Sequence, residues 1–267
     1  MREVLTMWRD TRMIMLVAVV AAVYAAVLIP FKLFTIIPGI TSIRPANVFP
    51  VIFGIMFGPA AAWGSAIGNL IGDIVGGTFG PGSIGGFVGN FAFGFVGYKM
   101  WGNLGPLSSG SEPDMRDNVG MQIVEYVVIA VSASAACAAI IAGWVDFLGI
   151  VPFTVLGPVI ITNNTIASVI LGPPLLYLVY PRIKDMGLLY SDVMRSEDIS
   201  EASPSRRQLA AYAMLVVPLV WLGVGVLLGA APGATSLAVI SAVGFVLFAI
   251  ASLVGGERLS SLEAGVA

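Results

Sequence analysis

Few residues in this chain can do chemistry, and they are of particular kinds. Histidine is absent, and cysteine occurs once, as Cys137. The commonest general base and metal ligand is therefore missing. One thiol inside an apolar helix offers neither an intrachain disulfide nor a ready thiolate. What remains is a set of amides and carboxylates around one arginine: Arg44, Asn47, Asn69, Asp73, Asn90, Asp146, Asn163 and Asn164, with Trp144 nearby and Glu125 set apart. Such groups hydrogen-bond a small polar solute. They supply no nucleophile–base pair, and no paired-carboxylate motif stands out for acid–base work. No G-x-x-x-x-G-K-[ST] loop is present, so the chain carries no phosphate cradle of that type. These residues predict no enzyme, no cofactor and no metal site.

The elements that must hold them are membrane helices. Hydrophobic residues make up 58% of the chain and charged ones 10%, against about 25% charged in soluble domains. Too little polar surface remains to solvate a globule of this length. The apolar runs are far longer than the roughly 10-residue alternating strands of a membrane barrel. The expected class is thus all-α, a polytopic helical membrane protein. A net charge of −2 gives no basic field for nucleic acid. The first apolar run follows a charged start without a convincing cleavage site, so it is read as a retained helix.

Eight apolar segments are expected, at 13–31, 45–58, 60–76, 83–101, 120–142, 159–180, 209–229 and 234–253. The second and third are short and split at Gly58-Pro59, where proline removes a backbone donor and ends a helix. Two half-length helices joined by a tight turn, or one kinked hairpin, would explain the pair. With the N-terminus inside, Arg2, Arg9, Arg12, Lys99, Arg116, Arg182, Lys184, Arg195, Arg206, Arg207 and Arg258 lie on the inner side and only Lys32 and Arg44 on the outer. Basic residues favour the cytoplasmic side, so N-in, C-in is expected. The chain divides into a six-helix core at 1–182, a charged cytoplasmic loop at 183–208, and two additional helices with a short tail at 209–267. A second polar loop, Gly/Ser/Pro-rich, occupies 102–118.

Depth, counted at about 1.5 Å per helical residue, brings the polar groups together. Arg44 and Asn47 open the second segment at its outer end. Asn69 is mid-membrane on the third, with Asp73 about one turn further out. Asn90 lies roughly two turns inward on the fourth. Trp144 and Asp146 follow the fifth, and Asn163 and Asn164 open the sixth. Glu125 alone sits near the inner end of its helix, at the headgroup edge. Polar groups in hydrocarbon are tolerated where they pair or face a cavity. Independent helices placing them at similar depth predict a polar pocket open to the exterior. The competing reading is hydrogen bonding that glues helices together. Asp73 either pairs with Arg44 or meets an amine or hydroxyl of a ligand. Arg44 either snorkels to outer headgroups or clamps a carboxylate or phosphate with its planar fork. Trp144 is an interfacial belt residue or a stacking platform.

Small residues form stripes. Gly64, Gly68, Gly72 and Gly76 lie four apart on the third segment. Gly85, Gly89 and Gly97, with Gly86, Asn90 and Gly94, do so on the fourth. They permit close helix approach, as a static contact or in a moving part. Ala18, Ala22 and Ala26 make a flat face on the first segment, which either packs within the bundle or docks another membrane protein.

The stretch Arg44-Pro45, then Pro50-Val51-Ile52-Phe53-Gly54-Ile55-Met56-Phe57-Gly58-Pro59, then Gly64, Gly68, Asn69 and Asp73, resembles the substrate-binding S components of energy-coupling factor (ECF) transporters. The resemblance covers about residues 10–182 and includes the alanine face of the first helix. It implies a prokaryotic plasma-membrane protein that captures a vitamin or related micronutrient from outside. It implies docking through Ala18, Ala22 and Ala26 onto a transmembrane coupling subunit driven by two cytoplasmic ATPase subunits. It also implies a pocket capped by the loop after the first helix, here Phe31 to Arg44 with Pro38-Gly39 as its turn. The last two helices and the charged loop depart from that pattern. A stand-alone secondary transporter or channel for a small polar solute is the alternative, since Gly/Pro-broken helices with midplane polar groups suit it.

Overall fold

The computed structural model describes residues 2–199, 202–229 and 235–263. A short α1 (Arg2–Thr6) precedes α2 (Thr11–Phe31), a hairpin of β1 (Thr35–Ile37) and β2 (Thr41–Ser42), and α3 (Val48–Phe57). Then come α4 (Pro59–Val75), α5 (Gly82–Met100), α6 (Val119–Phe147) and α7 (Phe153–Asp185). The single turn α8 (Tyr190–Val193), α9 (Pro204–Leu228), α10 (Thr235–Val254) and α11 (Leu259–Glu263) complete the described chain. The eight apolar segments fall on α2–α7, α9 and α10. Among the described residues, five helices are long and apolar enough to cross a membrane, and the chain is a helical membrane protein. Residues 200, 201, 230–234 and 264–267, which the sequence reading assigns to the charged loop and the final unit, lie outside the described residues.

The shortness of α3 decides where a site can form. Its 10 residues reach only about 15 Å, half of a hydrocarbon core of about 30 Å. Gly58, at φ 55°, turns the chain into Pro59 at the first position of α4, so the break is two separate helices. On its long side α3 lies backbone to backbone with α5: a Cβ added to Gly54 would stand 2.2 Å from the Gly94 carbonyl oxygen, and one on Gly97 2.8 Å from that of Val51. This contact fixes α3 beside the C-terminal half of α5. Its N-terminal end, at Asn47, reaches only the level of Asn90, about 12 Å from the start of α5 at 1.5 Å per residue. Above it the longer helices continue around unfilled space.

The glycine stripe of α4 packs on α2. Gly64 faces Val20, Gly68 faces Tyr24 and the Ala21 carbonyl, and Gly72 faces Leu28, each closer than a Cβ would allow. This contact turns Ala21 and Ala25 inward and leaves Ala18, Ala22 and Ala26 exposed.

The end of the bundle that carries α1 is tied by buried polar contacts. Lys99 pairs with Glu3 at 2.6 Å and donates to the Gly255 carbonyl at 2.9 Å. Asn103 donates to Gly256, Arg258 to Gly102, and the Tyr190 hydroxyl to Glu257. Residues 255–263 thereby run back beneath the core from α10. Helices α9 and α10 lean on α6, where Ser132 Oγ donates to the Met214 carbonyl at 2.9 Å, on the side away from α2. Two expectations change here. Glu125 is fully buried within the protein and not exposed at a surface: it accepts the Gly102 and Ser109 amides, each at 2.7 Å, and so folds the 102–118 loop around itself. The charged loop is also partly helix and core, because α7 continues through Asp185 and Leu189 and Tyr190 are buried.

Replacing Gly68 with valine drives a branched side chain into Tyr24 and the α2 backbone, and is expected to cost about 1–3 kcal/mol. Ala22→Leu, on the exposed face, is expected to leave stability unchanged. Thermal unfolding of the purified variants in detergent checks both.

Candidate functional site

The space above α3 is a cavity of about 220 Å³, whose lining includes Arg44, Asn47, Asn69, Asp73, Asn90 and Asn164. Small-molecule pockets usually hold about 300–1,000 Å³, so this one suits a small solute. Its floor is a knot of buried amides. The Tyr24 hydroxyl on α2 lies 2.7 Å from Asn47 Oδ1 and 2.9 Å from Asn90 Oδ1. Asn90 Nδ2 donates back to the Gly86 carbonyl at 2.8 Å, and Asn47 Nδ2 donates to Asn164 Oδ1. Ser168 Oγ on α7 donates to the Asn47 carbonyl at 2.9 Å. Four helices meet in these bonds, and none of the amides can shift without leaving a buried polar atom unpaired.

One wall carries the charge. Arg44 Nη1 donates to Asn69 Oδ1 at 3.0 Å, while its Nε is buried without a partner. Asp73 has several donors: Lys32 Nζ at 2.6 Å, Ser83 Oγ at 2.9 Å and Asn69 Nδ2 at 3.3 Å. Lys32 also donates to Thr78 Oγ1 at 2.8 Å. Burial pushes the Lys32 ammonium below the usual lysine value, and its bond to Asp73 opposes that shift. The opposite wall is apolar, with Cys137, Ile141, Leu156 and Ile160. The roof is the β1–β2 hairpin, whose turn at Gly39 takes φ +72° and whose Gly39, Ile40 and Thr41 face the cavity. Asn163 accepts from the Arg44 amide at 3.3 Å and donates to the Ser42 carbonyl at 2.9 Å, gripping the hairpin's second leg.

Six of the nine residues singled out from the sequence therefore line one cavity. The other three do different things. Asn163 holds the hairpin. Asp146 accepts the Phe153 amide at 2.9 Å, fastening the start of α7. Trp144 donates to the Pro81 carbonyl at 2.8 Å and lines an apolar groove with Trp221 and Phe245. Arg44 turns into the cavity instead of snorkelling outward, and the ion pair of Asp73 is with Lys32 and not Arg44. Sequence spacing gives no sign of Tyr24 or Ser83 at the site, offers Cys137 only as an inert thiol, and marks Lys32 only as an outer charge. Lys32 was findable: Asp73 is the carboxylate at that depth, and Lys32 is the other cation at that end. Chemically the assembly can grip a small solute by its edge, with amides of both polarities and one guanidinium donor. It holds no group placed for bond making or breaking.

A family model described as "QueT transporter" matches residues 14–181. The match runs from early α2 through most of α7 and stops before α9. No curated protein and no solved structure matches the chain.

Tyr24→Phe removes the one hydroxyl proton that the oxygens of Asn47 and Asn90 share at the floor. It is expected to cost about 1–3 kcal/mol of stability, read by thermal unfolding. A loss well below 1 kcal/mol would mean that water replaces the hydroxyl.

Proposed function

The chain belongs to the QueT transporter family, a family of ECF substrate-binding components, and on that premise we propose that the roofed cavity captures a queuosine precursor from outside the cell. The chain is a transporter component and not an enzyme. The observation that carries the proposal is Arg44. Its Nε is buried and unpartnered in a cavity lined by four asparagines. A buried donor without an acceptor is costly, and a bound solute with an acceptor on its edge removes that cost. Asn47, Asn69, Asn90 and Asn164 then meet the remaining donors and acceptors of a flat heterocycle.

The charge pattern supports an exterior opening. The inner-end cations named above gather with α1, the 102–118 loop and α11, while Lys32 and Arg44 are at the cavity end. By the positive-inside rule the cavity end faces outward, with the chain N-in, C-in. The exposed Ala18, Ala22 and Ala26 supply a flat docking face for the transmembrane coupling subunit, beneath which cytoplasmic ATPases drive release. The appended α9 and α10 leave that face open, since they sit against α6.

Binding is tested by titrating the purified protein with the queuosine base and its biosynthetic precursors. One of them is expected to bind, and Arg44→Gln to weaken it by about tenfold or more, the loss of one charge-assisted hydrogen bond. Equal affinity in the variant would remove Arg44 from the site. Docking is tested in proteoliposomes with the coupling and ATPase subunits. Ala22→Trp is expected to keep binding and abolish ATP-driven uptake, and normal uptake would remove that face from the interface.

A further inference from the structure

Helix α5 carries six glycines within its 19 residues, although glycine weakens a helix relative to alanine. For four of them packing is the reason. A Cβ on Gly85 would stand 2.7 Å from Trp144 Cδ1, and one on Gly89 2.6 Å from Ile141 Cγ1. One on Gly94 would meet the Ala61 carbonyl oxygen at 2.8 Å, and one on Gly97 that of Val51 at 2.8 Å. Gly82 and Gly86 are different. A Cβ on Gly82 would meet only Val145 Cγ2, at 3.8 Å. One on Gly86 would meet only the ends of two cavity-lining side chains, Asn69 Nδ2 at 2.9 Å and Asp73 Oδ2 at 3.7 Å. Neither glycine has another helix's backbone against it, yet Gly86 is buried and both line the cavity.

The geometry points to Gly82 and Gly86 as the positions that set the size of the solute, which lies directly on the α5 main chain there. With Asn90 they follow at four-residue spacing and so share one face of the helix. Without side chains, the backbone can be approached closely by a ligand. The Gly86 carbonyl already accepts Asn90 Nδ2 at 2.8 Å, so the contact it offers is close apolar approach and not a further hydrogen bond. The polar grip comes from Asn69 and Asn90 beside it. A cavity of about 220 Å³ is smaller than most small-molecule pockets, and at close packing a single methyl is felt. A methyl on this wall therefore competes with the solute for the same space. At Gly86 it also presses on Asn69, whose Oδ1 takes Arg44 Nη1 at 3.0 Å. The inference rests on the reading of this cavity as the solute site.

The test compares neighbouring glycines. The queuosine base and its biosynthetic precursors are titrated into the full-length protein in detergent, and the same samples are melted without solute. Gly86→Ala and Gly82→Val are each expected to weaken the compound that the wild type binds by about tenfold or more. The melting temperature of the solute-free protein is expected to stay unchanged in both, because the added Cβ meets no backbone. Gly85→Ala is expected to do the reverse: it lowers the melting temperature by a few degrees, through the clash with Trp144, and keeps wild-type affinity. Wild-type affinity in Gly86→Ala or in Gly82→Val would overturn the proposal. So would a loss of affinity in Gly86→Ala with a melting temperature as low as that of Gly85→Ala, since Gly86 would then be a packing glycine like its neighbour. Should Gly86→Ala fail to fold, Gly82→Val alone decides, because its nearest neighbour stands 3.8 Å away. A wild type that binds none of these compounds would remove the functional reading and this one with it. A wild type that binds one of them no better than both variants do would remove this one alone.

Discussion

The close contact between α3 and α5 is the constraint on which the rest of the structure depends. Gly54, Gly94 and Gly97 remove the side chains that would separate the two backbones. The helices therefore touch along the C-terminal half of α5, where dispersion and shape fit replace the hydrophobic effect as the source of helix association. Held there, a helix of 10 residues cannot also fill the space beside the N-terminal half of α5. The empty volume above it is a consequence of length and glycine placement, and no side chain need be sacrificed to make it.

That volume dictates the polar chemistry around it. Residues of the chain leading into α3 are drawn in with it, so Asn47 is buried and Arg44 turns into the cavity, where each must find a partner. Asn47, Asn90, Asn164 and Tyr24 satisfy one another and in doing so tie α2, α3, α5 and α7 at one depth. The gluing of helices and the lining of a pocket, which compete as explanations of buried asparagines, are here the same bonds seen from two sides. Arg44 is the exception, and its unpaired nitrogen is where the network stops being self-sufficient. On the proposed function, a bound solute fills that gap.

Much of this was legible in the sequence because hydropathy and depth are local properties. The apolar runs gave the helices, and Gly58-Pro59 gave the break between α3 and α4. Counting residues along each helix brought six of nine predicted positions to one cavity. What was not legible depends on connections that fold back. The partner of Asp73 comes from the end of α2, forty-one residues earlier. Asn163 turns from the solute to the hairpin because β2 passes beside it. Trp144 faces a groove that exists only because α9 and α10 return to lie against α6. Glu125 looked like a surface carboxylate because nothing local announces that the 102–118 loop wraps over it. Pairings between segments far apart in the chain leave no periodic trace, so spacing alone cannot recover them.

The central claim is that one small solute occupies the roofed cavity against Arg44. Native mass spectrometry of the purified protein, with extraction of any co-purified small molecule, tests it most directly. The account predicts one copy per chain of a queuosine precursor in the wild type, and none or a weakly retained one in Arg44→Gln. A protein that is empty and stays empty when every such precursor is added, or one that retains the same solute equally well without Arg44, would contradict it.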